Sequence, residues 1–141
     1  MKESAFQSKV KKKLVGAGAL VFNVHGHAMQ APGWPDLQVY SPRWTGQLEL
    51  KTMTGKLSVM QRRRIHQLRK MRVPAFVLRE DGALFDPDNE VGRLDLKKDG
   101  LEWLDELRRY SDAVYLLTST WLRNVGMPTL KQSPSFTPDP P

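Results

Sequence analysis

Apolar positions recur along this chain in two rhythms, one helical and one alternating. Phe6, Val10 and Leu14 fall at i, i+4 and i+8 in "ESAFQSKVKKKLVGAG", which predicts a helix ended by Gly16 and Gly18. "ALVFNV" (Ala19–Val24) predicts a strand, and "HGHAMQAPGW" a loop broken by Gly and Pro. "PDLQVY" alternates, with Leu37 and Val39 on one face and Asp36, Gln38 and Tyr40 on the other. "GQLELK" alternates too, with Leu48 and Leu50 against Gln47, Glu49 and Lys51. "SPRWT" between them predicts a turn and hence a hairpin. A turn centred on Pro42-Arg43 sets Asp36 opposite Glu49, with Cβ atoms roughly 5 Å apart and side chains on one face. Lys51, two residues on, shares that face.

"SVMQRRRIHQLRKM" predicts a second helix with Ser58 as N-cap and an apolar stripe of Leu57, Met60, Ile65, Leu68 and Met71. Gln61 falls inside the stripe and is expected to point inward. "PAFVL" predicts a further strand, and "REDG" and "FDPDNE" predict turns around a short "ALF". "DGLEWLDELRRY" predicts a helix with Leu101, Trp103, Leu104 and Leu107 as its apolar set, Trp103 serving the core or a subunit interface. "AVYLLTSTWL" fits strand or helix equally. The Pro/Ser-rich tail "KQSPSFTPDPP" is expected to be unfolded. The chain shows no internal repeat, so one domain over residues 1–130 and a tail over 131–141 are expected.

Composition narrows the class. A chain of 141 residues can bury one real core. It has no cysteine, which removes disulfides and cysteine zinc sites and suits a reducing cytoplasm. No apolar run is long enough to span a bilayer, so no membrane partner is expected. The N-terminus is basic and then apolar, but Glu3 and the polar stretch to Lys13 suit a folded helix better than a signal peptide.

The net charge of +7 is unevenly spread. Through Arg79 there are 15 Lys and Arg against three acids, Glu3, Asp36 and Glu49, a net of +12; residues 80–141 carry −5. A part this positive calls for a polyanion, and nucleic acid is the usual one. No basic stretch carries the aromatic or leucine face of an interfacial helix. Arg62, Arg63, Arg64, Arg69, Lys70 and Arg72, with Lys56 before them, are candidate phosphate contacts, because no acids intersperse them as on an ordinary solvated face. Lys9, Lys11, Lys12 and Lys13 take the same reading.

Two opposed carboxylates repel, and burial adds to the cost. A divalent cation removes that penalty, and Mg²⁺ usually takes one or two carboxylates plus waters. Asp36 and Glu49 are the candidate ligands, with the backbone carbonyl of Leu50 as a further oxygen. Lys51 would orient or activate the attacking water and offset charge on a phosphate. The plain alternative is a surface hairpin, since E-L-K alternation is common and Pro-Asp is ordinary turn chemistry. The conjunction favours a site: two of only three acids in the basic part fall opposite each other, with a lysine beside them. His25, His27 and His66 match no tetrahedral zinc spacing and read as polar loop and helix residues, His25 lying near the scissile phosphate. Trp34 abuts Asp36 and would stack on a base or pack against the core.

"GWPD", then twelve residues, then "ELK", then "GKLSVMQ" opening a basic helix resembles the PD-(D/E)xK nuclease superfamily, and within it the VRR-NUC (virus-type replication-repair nuclease) family. The corresponding positions are Glu3, Gly33, Pro35 with Asp36, Glu49 with Lys51 and Thr52, and Leu57-Ser58 with Gln61. The resemblance runs from residue 3 to about 80 and does not extend to the C-terminal third. It implies an α/β fold with an αβββαβ core, a mixed sheet flanked by helices, and dependence on Mg²⁺ or Mn²⁺. Asp36 and Glu49 would bind metal, Lys51 would be the catalytic lysine, and Gln61 would orient water or a ligand. Glu3 would be a third, helix-borne acid, although an acid there also simply complements the helix dipole. The implied activity is a DNA endonuclease leaving 5′-phosphates, acting on branched, flap or Holliday-junction DNA in replication, recombination or repair. Homodimers would suit the two-fold symmetry of a four-way junction, and short chains of this kind resemble phage- or bacterium-encoded members. Two other classes stay open. A non-cleaving nucleic-acid-binding module of the same fold is one, although a pure binder gains nothing from carboxylates facing phosphate. A basic protein-binding protein is the other, and its affinity would be insensitive to salt.

Overall fold

The apolar rhythms become a helix, three strands, a helix and a strand, followed by a second hairpin and a last helix. The computed structural model describes residues 2–24 and 32–124, with side chains to residue 114. Its elements are α1 (Glu3–Gly16), β1 (Leu20–Asn23), β2 (Leu37–Tyr40), β3 (Gly46–Lys51), α2 (Val59–Lys70), β4 (Ala75–Arg79), β5 (Ala83–Asp86), β6 (Asn89–Arg93) and α3 (Gly100–Asn124). The first six are the αβββαβ order that the family resemblance implies. One mixed sheet runs β1-β2-β3-β4-β5-β6. Among the described strands only β3 and β4 pair in parallel, and α2 makes the crossover that a parallel pair needs.

Alternation sets the register of the first hairpin. Leu37 pairs with Leu48, Gln38 with Gln47 and Val39 with Gly46, which carries Asp36 to the level of Glu49 as expected. The loop between them is held by Ser41, whose Oγ accepts from the backbone N–H groups of Arg43 and Trp44. Trp44 turns into the core and stacks on Phe76, with ring centroids 6.5 Å apart.

The sheet face that carries Glu49 is covered by α2. Ala75 and Val77 pair beside Gln47 and Glu49, and they bury with Ile65 and Leu68 of α2. Trp34, Leu57, Val73 and Phe85 pack around that cluster. On the face away from α2, Leu48, Leu50, Phe76 and Leu78 are buried. α1 lies against β1 and β3, and its Phe6, Val10 and Leu14 are buried at the helical spacing read from the sequence. Lys13 ties α1 to the start of α3: its Nζ donates to the carbonyl oxygens of Leu96 and Lys98 and sits 5.0 Å over the ring of Trp103. Trp103 is a core residue, with its indole N–H donating to the Asp95 carbonyl at 2.8 Å.

The structure departs from the sequence reading in three places and settles one that it left open. "FDPDNE" is not all turn, because β5 runs to Asp86 and β6 begins at Asn89. "NEVGR" has one apolar residue and no alternation, and it pairs only as the last strand of the sheet, across a bulge between Leu84 and Phe85. "AVYLLTSTWL", which the sequence left open between strand and helix, is helical within α3. Met71 is the C-cap of α2 and exposed, so it leaves the stripe that Ile65 and Leu68 complete. Leu101, in the first turn of α3, is exposed as well.

The chain divides into two compact units, Met1–Tyr110, which holds the sheet, α1, α2 and the start of α3, and Ser111–Pro141, in which helix continues to Asn124. The boundary expected at residues 130–131 lies outside the described residues. Among the described residues, no helix is long and apolar enough to cross a membrane.

Candidate metal and active site

Three segments converge on one point of the α2-covered face: the loop before β2, the end of β3 and the first turn of α2. Gly33 lets the first meet the third. Its φ is +88°, and a Cβ there would lie 2.6 Å from the carbonyl oxygen of Met60, so a side chain meets both strain and a clash. Trp34 packs on the Ile65–Leu68 cluster beneath the Arg64 guanidinium, 4.8 Å from the ring centre. Arg64 also donates to the Pro32 carbonyl. The loop is thereby fastened to α2, and it ends in Asp36.

Asp36 is buried, and its Oδ2 accepts the Leu50 N–H at 2.8 Å across the hairpin. In an extended strand the N–H and C=O of one residue leave on the same side. The Leu50 carbonyl therefore lies on Asp36's side of β3, past the last β2–β3 pair at Leu37 and Leu48.

Glu49 is equally buried, and its two oxygens differ. Oε2 accepts from Gln61 Nε2 at 3.0 Å and lies 3.5 Å from Lys51 Nζ. Oε1 is buried with no hydrogen-bond partner. Burial, and next the Asp36 carboxylate, push the Glu49 carboxyl up to about 8, against the pull of Lys51.

Gln61 is the third residue of α2 and closes a capping box. Its Oε1 accepts the Ser58 N–H at 2.9 Å, while Ser58 Oγ accepts the Gln61 N–H at 3.0 Å. Lys51 is mostly buried, and the turn after it is held from β4. Arg79 Nη1 donates to the carbonyls of Thr52 and Gly55, and Met53 N–H donates to Glu80 Oε1.

These residues fit a hard divalent cation. Two buried carboxylates face each other, one buried carboxylate oxygen lacks a partner, and a backbone carbonyl points to the same side. A buried acceptor left alone is costly, and an oxygen-only donor set suits Mg²⁺ or Mn²⁺. Among the described residues no group of three His, Cys, Asp or Glu side chains is close enough to hold a metal, so Glu3 does not complete the pair. It is exposed at the first turn of α1, where it accepts from Gln7 at 3.5 Å.

Asp36, Glu49, Lys51 and Gln61 lie together at this point. The basic residues divide. Arg62 pairs with Asp88 in the β5–β6 turn and Arg69 with Asp86 at the end of β5, and Lys13 is held by the carbonyls of Leu96 and Lys98 ahead of α3. Trp34 is engaged by Arg64 and the α2 cluster rather than presented as a bare ring. Lys9, Lys12, Lys56, Arg63 and Lys70 are exposed. His25 lies outside the described residues. Sequence reasoning missed the supporting roles of Arg64, Arg79 and Glu80. Only Gly33, placed beside Trp34, hinted at the close approach that Arg64 completes.

No family model matches the chain, and neither does any curated protein. Among solved structures it is similar to Hjc, a Holliday junction resolvase from the archaeal hyperthermophile Archaeoglobus fulgidus. The similarity covers 57% of this chain and 72% of that one, at 20% identity and a TM-score of 0.44. At that level of likeness, function has to be read from the site's own geometry.

Proposed function

We propose that this chain is a divalent-metal-dependent DNA endonuclease hydrolysing phosphodiester bonds. The observation that carries the reading is the buried Asp36–Glu49 pair, with one Glu49 oxygen held by Gln61 and Lys51 and the other without a partner. Two facing buried carboxylates are costly together unless one keeps a proton or a cation joins them, and the cation also takes up the free Glu49 oxygen. Asp36, Glu49 and the Leu50 carbonyl hold that cation. The cation, when bound, supplies Lewis acidity toward a phosphodiester oxygen and eases deprotonation of water. Lys51 places its ammonium beside the carboxylate pair, where it offsets charge growing on the phosphate. Gln61 keeps Glu49 oriented. The exposed Lys9, Lys12, Lys56, Arg63 and Lys70 meet the DNA backbone. The VRR-NUC resemblance extends the proposal to branched, flap or Holliday-junction substrates and to a homodimer.

Labelled four-way junction, flap, single-stranded and duplex DNA, incubated with Mg²⁺, Mn²⁺ or EDTA, test it. Cutting is expected in either metal, absent in EDTA, and reduced at least about 100-fold by Asp36→Ala and by Lys51→Ala. A junction or flap cut faster than plain duplex supports the structure-selective part. Salt-sensitive DNA binding without cutting in either metal would refute the nuclease and leave a binding module.

A further inference from the structure

The metal-site side chains rest on a hydrogen-bond relay that begins at a residue outside the site. Ser58 is exposed and is the N-cap of α2. An amide side chain is a donor at one end and an acceptor at the other, and it is free to flip unless something distinguishes the ends. Here Ser58 does so. Its backbone N–H donates to Gln61 Oε1 at 2.9 Å, which fixes that end as the acceptor. Nε2 is then the end presented to Glu49, and it donates to Oε2 at 3.0 Å. Lys51 approaches the same oxygen. Both donors therefore gather on Oε2, and Oε1 is left without a hydrogen bond although it is buried.

We infer that Ser58 is a positioning residue for the cation site: through the capping box it locks the Gln61 amide, which holds Glu49 by Oε2 and reserves Oε1 for the metal. The inference rests on the metal-site reading above and adds a residue that touches neither metal nor substrate. It also assigns Gln61 a definite polarity. Gln61 donates to Glu49, and its carbonyl oxygen is occupied by the helix cap, so it is not the acceptor for an attacking water's proton. The Ser58 hydroxyl accepts the Gln61 N–H at 3.0 Å and so holds the helix start in the geometry that brings the Ser58 N–H to Gln61 Oε1; without the hydroxyl that geometry loosens. The side-chain arm of the box is what reaches the site.

The test compares wild type with Ser58→Ala, Ser58→Thr, Gln61→Ala and the Ser58→Ala/Gln61→Ala double variant. Mn²⁺ affinity is measured by calorimetry, and the Gln61 side-chain amide resonances are followed by NMR in the metal-free protein. Ser58→Ala and Gln61→Ala are each expected to weaken Mn²⁺ about 10-fold, the scale of lost support for a metal ligand. The double variant weakens no further, because both act through one relay. Ser58→Thr retains affinity, since threonine also caps. In metal-free protein the Gln61 amide signals shift in Ser58→Ala. A purely structural cap gives a different result: Ser58→Ala lowers Tm but leaves both Mn²⁺ affinity and the Gln61 signals unchanged, and that overturns the proposal. If wild type binds no Mn²⁺, the nuclease reading falls by itself, and the metal-free spectra decide on Ser58. Gln61 signals that move in both Ser58→Ala and Glu49→Gln uphold the relay, and signals that move in neither refute it.

Discussion

Glu49 holds most of the stored cost of this site in one carboxyl. Its pKa of about 8 in the metal-free molecule comes first from burial and second from Asp36. In the unfolded chain the group titrates near its ordinary value of 4.5. Between those two values the folded state holds a proton that the unfolded state has released, so stability without metal falls as pH rises from about 4.5 through about 8. Denaturation midpoints in EDTA are expected to drop across that window, and Glu49→Gln is expected to flatten the slope. A divalent cation needs the carboxylate, so its binding below pH 8 displaces about one proton. Calorimetry in buffers of different ionisation heat reads that number directly, and metal affinity should rise with pH and level off above 8. The opposition of Asp36 and Glu49 was legible in the sequence, because side-chain alternation and a five-residue loop set a hairpin's register. The inequality of the two Glu49 oxygens was not. It depends on where the first turn of α2 lies, which no spacing within β3 encodes.

At the scale of elements, α2 carries two jobs on one basic sequence. Its inner side brings Gln61 to the site, while Arg62 reaches across to Asp88 in the β5–β6 turn and Arg69 to Asp86 at the end of β5. Burial raises the Asp86 carboxyl, and Arg69 and then His66 hold it down. Arg69→Ala leaves that buried acid without its cation and is expected to cost about 1–2 kcal/mol, since Arg69 itself is partly exposed to solvent. Arg63→Ala, on an exposed position, should change stability by less than about 0.5 kcal/mol and instead weaken nucleic-acid binding. Paired denaturation and binding curves separate the two. Gly33→Ala puts a methyl against the Met60 carbonyl at a positive φ, with an expected loss of about 1–3 kcal/mol and weaker metal binding as the loop and α2 part. The apolar stripe of α2 was readable from its period. The partners of its arginines were not, because Asp86 and Asp88 sit in a segment whose "NEVGR" carries no strand rhythm and becomes β6 only beside β5.

Across the whole molecule, the division of charge along the sequence is partly undone by folding. The basic part holds +12 and the remainder −5, yet Arg43 meets Asp105, Arg62 meets Asp88 and Arg69 meets Asp86. Net charge thus overstates the surface that DNA would meet. Fewer phosphate contacts than the basic residues suggest should appear as a shallow but definite salt slope: about 0.9 per phosphate neutralised on duplex. Lys9→Ala and Lys56→Ala should each reduce it by about one unit or less, while Arg62→Ala should leave it nearly unchanged. A slope of zero would instead favour a protein partner.

The account stands on the claim that Asp36 and Glu49 together hold one divalent cation. The most direct measurement is a titration of Mn²⁺ into the metal-free wild-type protein and into Asp36→Asn, whose fold is checked by circular dichroism. The account predicts one saturable site in the wild type, lost or weakened at least about 100-fold in a folded Asp36→Asn. No saturable binding in the wild type, or equal binding by both proteins, would contradict it.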